Sequence, residues 1–495
     1  MRELTRREFI ERAGTFAALA ATAPVLGQTE PTPTPAPRGA NERLRVAVVG
    51  VRQRTRGMAH VAGFAGRNNC VVTVVCDCDS ADADFVIRDT AMRQGGVEPR
   101  FVQDFRRVVE DRDIDIISIA TPNHWHALMA IWAMQNGKDV YVEKPVSHNV
   151  WEGRRIVAAV ERYNKICQTG TQSRSMTGMR QSIQAIRDGR IGRVDLAYGV
   201  CYKRRNSIGR VNGEGVIPRT CDYDLWCGPA PRNPLRRQRL HYDWHWQWDT
   251  GNGDLGNQGI HEMDKARWGL GVAGLPQSFF SIGGRFGYVD DGETANTQLC
   301  HFDYGQAKII FEVRGLPSTS PYPAAVRAGG NASTNFVGNI FFGSEGVLVC
   351  PNYSSGILLN PAGEIVERFN GGSDLAHFDN FINAVRSRRR DSLHADILEG
   401  HISSALCHLG NISYRLGREV PLAEVRDVAD HRETREAFER MREHLRANNV
   451  DLQQVRCNVG PRLTINAQEQ IPDNREAAQL LTREYRRGFE VPASF

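Results

Sequence analysis

The chain has 495 residues, 24% of them charged and 41% hydrophobic, an ordinary globular composition with length enough for two or more domains. Its formal charge of +5 is small for that length, and no basic tract carries interleaved aromatics, which excludes nucleic acid as a partner class. The eleven cysteines are odd in number and scattered, with no CxxC pair and no metal spacing, which excludes a disulfide scaffold and leaves no metal centre expected.

In chain order, Thr5-Arg6-Arg7-Glu8-Phe9-Ile10 is a twin-arginine pattern, and the apolar stretch Ala13 to Leu26 behind it is too short to span a bilayer. Residues 1–27 are therefore expected to be an export signal, and the protein periplasmic or extracellular, carried across the membrane folded. No other apolar run reaches membrane length, so no membrane association is expected of the mature form. Residues 28–43 form an arm or linker. Its core, TEPTPTPAPR at 29–38, is proline-rich and extended. At about 3.1 Å per residue it reaches roughly 30 Å, enough to lie on a neighbouring subunit, although a spacer is the simpler reading.

A doubly wound parallel sheet is predicted next. Arg45-Val46-Ala47-Val48-Val49-Gly50 is a buried strand running into a glycine, followed by a helix from about residue 57. Val71 to Asp77 is a second strand, ending in an acid 27 positions after Gly50, where a dinucleotide fold keeps its ribose-binding carboxylate. Ile114 to Ile119 is a third strand, closed by Thr121, Pro122 and Asn123. A helix from His126 to Asn136 follows. The glycine fingerprint after Gly50 is defective, with Arg52 at the second position and Thr55 at the third. Arg52 either offers its guanidinium to a phosphate or crowds the site, and Arg54 stands beside it. The run Val140-Tyr141-Val142-Glu143-Lys144-Pro145 then ends a buried strand in an acid, a base and a proline. Open α/β sheets place their ligands at such carboxyl ends. Pro145 has no N–H to extend the ladder, its tertiary amide admits a cis Lys-Pro bond, and the Lys144 ammonium is expected to aim into the crevice.

The runs ATPNHWHALMAIWAMQNGKDVYVEKPVSHNVWEG and GNGDLGNQGIHEMDKARWGLG resemble the glucose-fructose oxidoreductase / inositol dehydrogenase family (Gfo/Idh/MocA), and in particular its exported, twin-arginine branch. The resemblance covers roughly Leu44 to Gly417, and the segment Leu481 to Arg486 with Val491-Pro492 is similar to the closing segment of that branch. It implies an N-terminal Rossmann domain, placed at 44–165, and a C-terminal α/β domain with a large open, mostly antiparallel sheet, placed at 166–420. A further segment, 421–495, is expected to wrap the outside. It also implies bound NAD, with NADP as the alternative, a carbohydrate substrate, and a homo-oligomer, dimer or tetramer, built on one face of the second sheet. The cofactor set it implies is Gly50, Arg52, Arg54, Asp77, Thr121, Pro122, Asn123, His126, Glu143 and Lys144. Lys144 would match the lysine that binds the reacting hydroxyl, and His261 the catalytic histidine. Asn257 stands where the family usually has an aspartate, so the charged partner of the usual proton relay is missing.

The residues alone point the same way. Asn257 and His261 are four apart and share a helix face. Losing a hydride from a carbinol means losing a proton too. A free lysine near about 10.4 is a poor base at neutral pH and histidine near about 6.5 a good one, which assigns the proton to His261 and positioning to Lys144. Gln172 and Arg174 follow a short strand and are expected to line the sugar pocket with Asn257 and His261. Trp246, from the cluster Tyr223, Trp226, Trp244, Trp246 and Trp248, is the expected stacking surface. Tyr202, Lys203 and Arg204 follow a strand and read as either pocket or solvated edge, the edge being the simpler reading. Three functions compete: NAD(P)-dependent transfer of a hydride to or from a sugar, sugar derivative or polyol; glycoside cleavage through transient oxidation by tightly held NAD; and, more weakly, non-catalytic sugar binding.

Overall fold

The protein's architecture comes from a computed structural model, which describes residues 42–52, 56–327, 335–426, 428 and 431–495. The predicted export signal, the proline-rich stretch 29–38 and Arg54 lie outside the described residues.

Six parallel strands form the first sheet: β1 (Leu44–Val49), β2 (Cys70–Cys76), β3 (Arg100–Val102), β4 (Ile116–Ile119), β5 (Asp139–Val142) and β6 (Cys167–Thr169), in the order β3-β2-β1-β4-β5-β6. Strands β1, β2, β4 and β5 are β-branched and buried on both faces, which a parallel sheet covered on both sides requires. The sequence reading counted Ile114 to Ile119 as the third strand. The short edge strand β3 precedes it, and its half-exposed Arg-Phe-Val has too little apolar content to announce itself. Register aligns the carboxyl ends. Gly50 N donates to Cys76 O (2.9 Å), Ala120 N to Val49 O (2.8 Å), Glu143 N to Ile119 O (2.9 Å) and Gly170 N to Val142 O (2.8 Å). Gly50, Asp77, Ala120, Glu143 and Gly170 therefore stand in one row along the sheet edge, with the order reversing between β1 and β4.

Helix α1 (Arg56–Phe64) lies on one face of this sheet and α2 (Asn123–Gln135) on the other. The second sheet has eleven strands: β7 (Val194–Tyr202), β8 (Ser278–Gly284), β9 (Thr297–Asp303), β10 (Lys308–Arg314), β11 (Phe336–Gly343), β12 (Gly346–Cys350), β13 (Gly356–Leu359), β14 (Ile365–Phe369), β15 (Arg418–Pro421), β16 (Arg456–Val459) and β17 (Leu463–Thr464). The path runs β14-β13-β12-β11-β7-β10-β9-β8-β16-β15, with β17 also on β8, and only β10 and β7 pair in parallel. Side chains alternate along each strand. One set, including Phe279, Phe302, Phe311 and Phe341, packs on helices α4 (Gly259–Leu270) and α6 (Ile397–Arg415). The short helix α3 (Gly253–Asn257) leads into α4. The opposite set, including Tyr198, Phe280, Leu299 and Ile310, packs on Phe438, Met441 and Leu445 of α7 (Arg432–Ala447).

Two features depart from a simple serial arrangement. Helix α6 reads as amphipathic, yet every residue from Gly400 to Tyr414 is buried. It is wedged between α4 and the helix Val150–Tyr163, and its polar groups find partners: Ser403 donates to Asp264 (2.8 Å), Ser404 accepts from Val146 N (3.2 Å) and Asn411 donates to Asn252 O (2.9 Å). Later segments also return to the first sheet. Phe378 of helix α5 (Asp374–Ser387) stacks on Tyr141 at 4.7 Å and meets Phe64 edge-on. Gly63 makes that approach possible, because a Cβ there would lie 2.6 Å from the Phe378 ring. On the other face Phe489 meets Trp125 edge-on at 5.6 Å, and Val491 joins the same apolar cluster.

Candidate active site

The row of strand ends opens into a cavity of about 350 Å³. At its centre Gly50 has φ +90°, and a Cβ there would lie 2.6 Å from the Ala120 carbonyl. A Cβ at Gly57 would lie 2.3 Å from Gly50 O. Both positions need glycine, so the chain keeps the first glycine of the fingerprint and moves the close helix contact to residue 57. Arg52 is engaged by carboxylates of its own chain. Its amide donates to Asp77 Oδ2 (2.8 Å), while its guanidinium is held by Asp79 (3.1 Å) and by Asp82. Two carboxylates thus engage the guanidinium, and Arg52 still lines the cavity. Asp77 also accepts from Asp79 N (3.0 Å). Burial pushes its pKa up and these two amides oppose that rise.

Across the reversal point, Thr121, Pro122, Asn123 and His126 line the cavity. The buried His126 ring spans Thr121 O (2.7 Å) and Pro145 O (2.6 Å), tying the β4 end to the β5 end. Glu143 is wholly buried. Burial alone would raise its pKa, but Arg56 (2.6 Å) and His60 (3.1 Å) outweigh it and hold the carboxyl well below its ordinary value. The Lys144–Pro145 bond is cis. Lys144 Nζ donates to Asn257 O (2.6 Å) and lies 3.5 Å from Asn257 Oδ1, and burial lowers its pKa to about 8.

Asn257 ends α3 and His261 lies in the first turn of α4, with Gln258 at the junction. The predicted single helix is thus two, and the Asn257 side chain is spent on Lys144. His261 is 4% exposed, its Nδ1 has no hydrogen-bond partner, and its ring sits 4.7 Å from that of Tyr353. Burial, then the nearby Lys144 charge, hold its pKa well below the ordinary histidine value, so it is neutral.

The other predicted substrate residues are placed elsewhere. Arg174 is buried in a bidentate pair with Asp264 (3.0 and 2.8 Å), with Glu399 at 3.2 Å. Gln172 is buried with its Oε1 unpaired, and neither residue lines the cavity. Trp246 is buried beneath the Arg205 guanidinium (5.4 Å), which pairs with Asp254. The wall opposite the strand ends is instead built by Lys203, Arg205, Tyr242, Trp244 and His245 from the long connection between β7 and α3. Lys203 Nζ donates to Gln258 Oε1 (3.2 Å), and Gln258 donates to Tyr353 OH (2.6 Å). The position of Lys203 directly after β7 was the available signal, since it too follows a strand end; Tyr242 and His245 had none.

This geometry fits a nicotinamide dinucleotide: a glycine cradle at the reversal point, a buried carboxylate at the β2 end for ribose hydroxyls, and Lys144 with Asn257 at the far end; His261 stands behind them and does not line the cavity. The comparisons agree. A family model described as "Oxidoreductase family, NAD-binding Rossmann fold" matches residues 44–171, and one for the "Oxidoreductase family, C-terminal alpha/beta domain" matches 196–276. A Glycosyl hydrolase family 109 protein of Shewanella woodyi is 38% identical over 128 residues, 25% of this chain and 27% of that protein. Another, from Shewanella sp. (strain ANA-3), is 31% identical over 182 residues, 34% of this chain and 39% of that protein. The chain thus matches well under half the length of these relatives. Among solved structures, the WlbA dehydrogenase from Bordetella pertussis in complex with NADH and UDP-GlcNAcA aligns over 76% of this chain and 97% of that one, at 19% identity and TM-score 0.53. Levoglucosan dehydrogenase in complex with NADH and levoglucosan aligns over 74% and 96%, at 16% and 0.54. At such identities the likeness is one of fold.

Proposed function

We propose, from the premise that the chain belongs to the Gfo/Idh/MocA oxidoreductase family and carries its NAD-binding fold, that it oxidises or reduces a hydroxyl-bearing carbon of a sugar, sugar derivative or polyol. The observation that carries this reading is Lys144: a half-buried ammonium at a strand end, lining the cavity, fixed by Asn257 O and within electrostatic reach of neutral His261. NAD, when bound, supplies the hydride acceptor or donor. The chain's own groups do the rest. The Lys144 ammonium donates to the reacting oxygen and stabilises the alkoxide character it gains. His261, neutral at working pH, is the group assigned to accept the hydroxyl proton. Lys203 and Arg205 on the opposite wall offer donors to further hydroxyls. Asp77 favours NAD over NADP, because a 2′-phosphate would meet a buried carboxylate. The test is cofactor extraction with mass spectrometry, followed by turnover of candidate sugars by wild type and Lys144→Ala. NADP in the extract, or near wild-type turnover in the variant, would overturn it.

A second reading is glycoside cleavage through transient oxidation, and the two Shewanella relatives described as glycosyl hydrolases favour it. Release of an aglycone from a synthetic glycoside without net NADH would select it over net oxidoreduction. Export in a folded state by the twin-arginine route, and assembly into an oligomer, remain part of this proposal. Among the described residues no helix is long and apolar enough to cross a membrane.

A further inference from the structure

Far from this cavity, on the sheet face covered by α7, three potential metal ligands converge. His301 and Asp303 are two apart on β9 and so project to one face. His431 is the residue just before the first turn of α7. One ligand atom from each lies within 4.8 Å of the others. The His301 and His431 rings are parallel, 12° apart with centroids at 5.0 Å, and His431 Nε2 lies 3.7 Å from Asp303 Oδ2.

The state of His301 is the second, independent observation. It is fully buried at 0% exposure, its Nδ1 is bonded to Thr434 Oγ1 on α7 (2.7 Å), and its Nε2 has no partner. A buried polar nitrogen without a partner costs free energy unless something else binds it. The Thr434 hydroxyl can accept from Nδ1, and in that tautomer Nε2 carries the lone pair that a metal-bound imidazole presents when its other nitrogen is fixed.

We propose that His301, Asp303 and His431 form a site for one divalent transition-metal ion of the zinc class, which fastens the start of α7 to β9. Two imidazoles and one carboxylate are a borderline N/O set, suited to zinc and unsuited to calcium or magnesium, which take oxygen ligands. The side chains of His431 and Asp303 are 29% and 23% exposed, leaving access for the ion and for a water as fourth ligand. Lys308 stands opposite Asp303 in register, and the carboxylate offsets its charge. The other cluster of similar composition, Asp79, Cys221 and His241, is already satisfied, since Asp79 pairs with both Arg52 and His241.

The test is titration of zinc chloride into the full-length, chelator-stripped protein, by calorimetry and by thermal unfolding. We expect a single equivalent to bind and raise Tm. Binding should weaken at least about tenfold in His431→Ala, a half-exposed position whose loss leaves the core intact, and should stay unchanged in His241→Ala. Absence of binding, equal binding in His431→Ala, or loss in His241→Ala would each overturn the assignment.

Discussion

At the scale of single residues, Lys144 and Asn257 set the pH behaviour. Lys144 must be charged to hold the reacting oxygen, and burial lowers its pKa to about 8, so kcat/KM should fall above about pH 8. The acid limb, set by His261, should lie below the ordinary histidine value of about 6.5. Because Asn257 Oδ1 is 3.5 Å from Lys144 Nζ, Asn257→Asp places a carboxylate on the lysine. The basic limb should therefore move up by about one unit, while the acid limb shifts less. A pH–rate profile with chemistry rate-limiting decides it; a basic limb that stays in place would remove Lys144 from that titration. These residues were legible in the sequence because each stands at or beside the end of a strand or helix, positions that local pattern defines. Lys203, Arg205 and His245 were not legible as a wall, because the path from Tyr202 to Asn252 has almost no periodic structure and folds by tertiary contact. Arg174 was legible as a charged residue after a strand, but nothing local announced Asp264, ninety residues on, as its partner.

At the scale of elements, the turn from β1 to α1 and the packing of α4 make separate demands. Gly50→Ala adds a Cβ where the Ala120 carbonyl already sits, at a positive φ. Strain of about 1–3 kcal/mol should move the loop and strip NAD from the purified protein, read as lost cofactor absorbance with the far-UV signal kept. On α4, Asp264→Asn halves the pairing of a buried guanidinium and leaves Arg174 with only Glu399. Breaking a buried pair in this way costs about 3–5 kcal/mol, so urea unfolding should show a lower midpoint with unchanged slope. Strand and helix identities followed from period-2 and period-3.6 patterns. Helix α6 did not fit its pattern, because a helix wedged between two layers is buried on all sides and its Ser, His and Asn residues are bonded inward, not solvated.

At the scale of the whole molecule, segment 481–495 joins parts far apart in sequence. Tyr485 OH donates to Glu152 Oε1 (3.1 Å), and Arg483 donates to Asp249 O (2.8 Å). Burial raises the Glu152 pKa from 4.5 to about 7. The folded state therefore holds a proton that the unfolded chain has released, and stability contributed by this group is lost as pH rises from about 4.5 to about 7. Glu152→Gln should flatten that part of the stability–pH curve, measured by denaturant unfolding at several pH values; an unchanged slope would mean the carboxyl ionises freely. The sequence suggested that the last segment wraps the outside, and its closing motif resembled one family branch. What it could not convey is that α7 covers the outer face of the second sheet within the same chain, because α7 meets the sheet across more than a hundred residues of intervening sequence.

The return of Phe378, Phe381, Phe489 and Val491 to the first sheet bears on how the protein is made. The ribosome releases β1 through β6 long before it releases these residues, so during synthesis the first sheet, covered by its own helices, still exposes on each face the apolar patch that these residues later meet. Those patches close only once residue 491 has been released, so the first domain is finished by the last residues made.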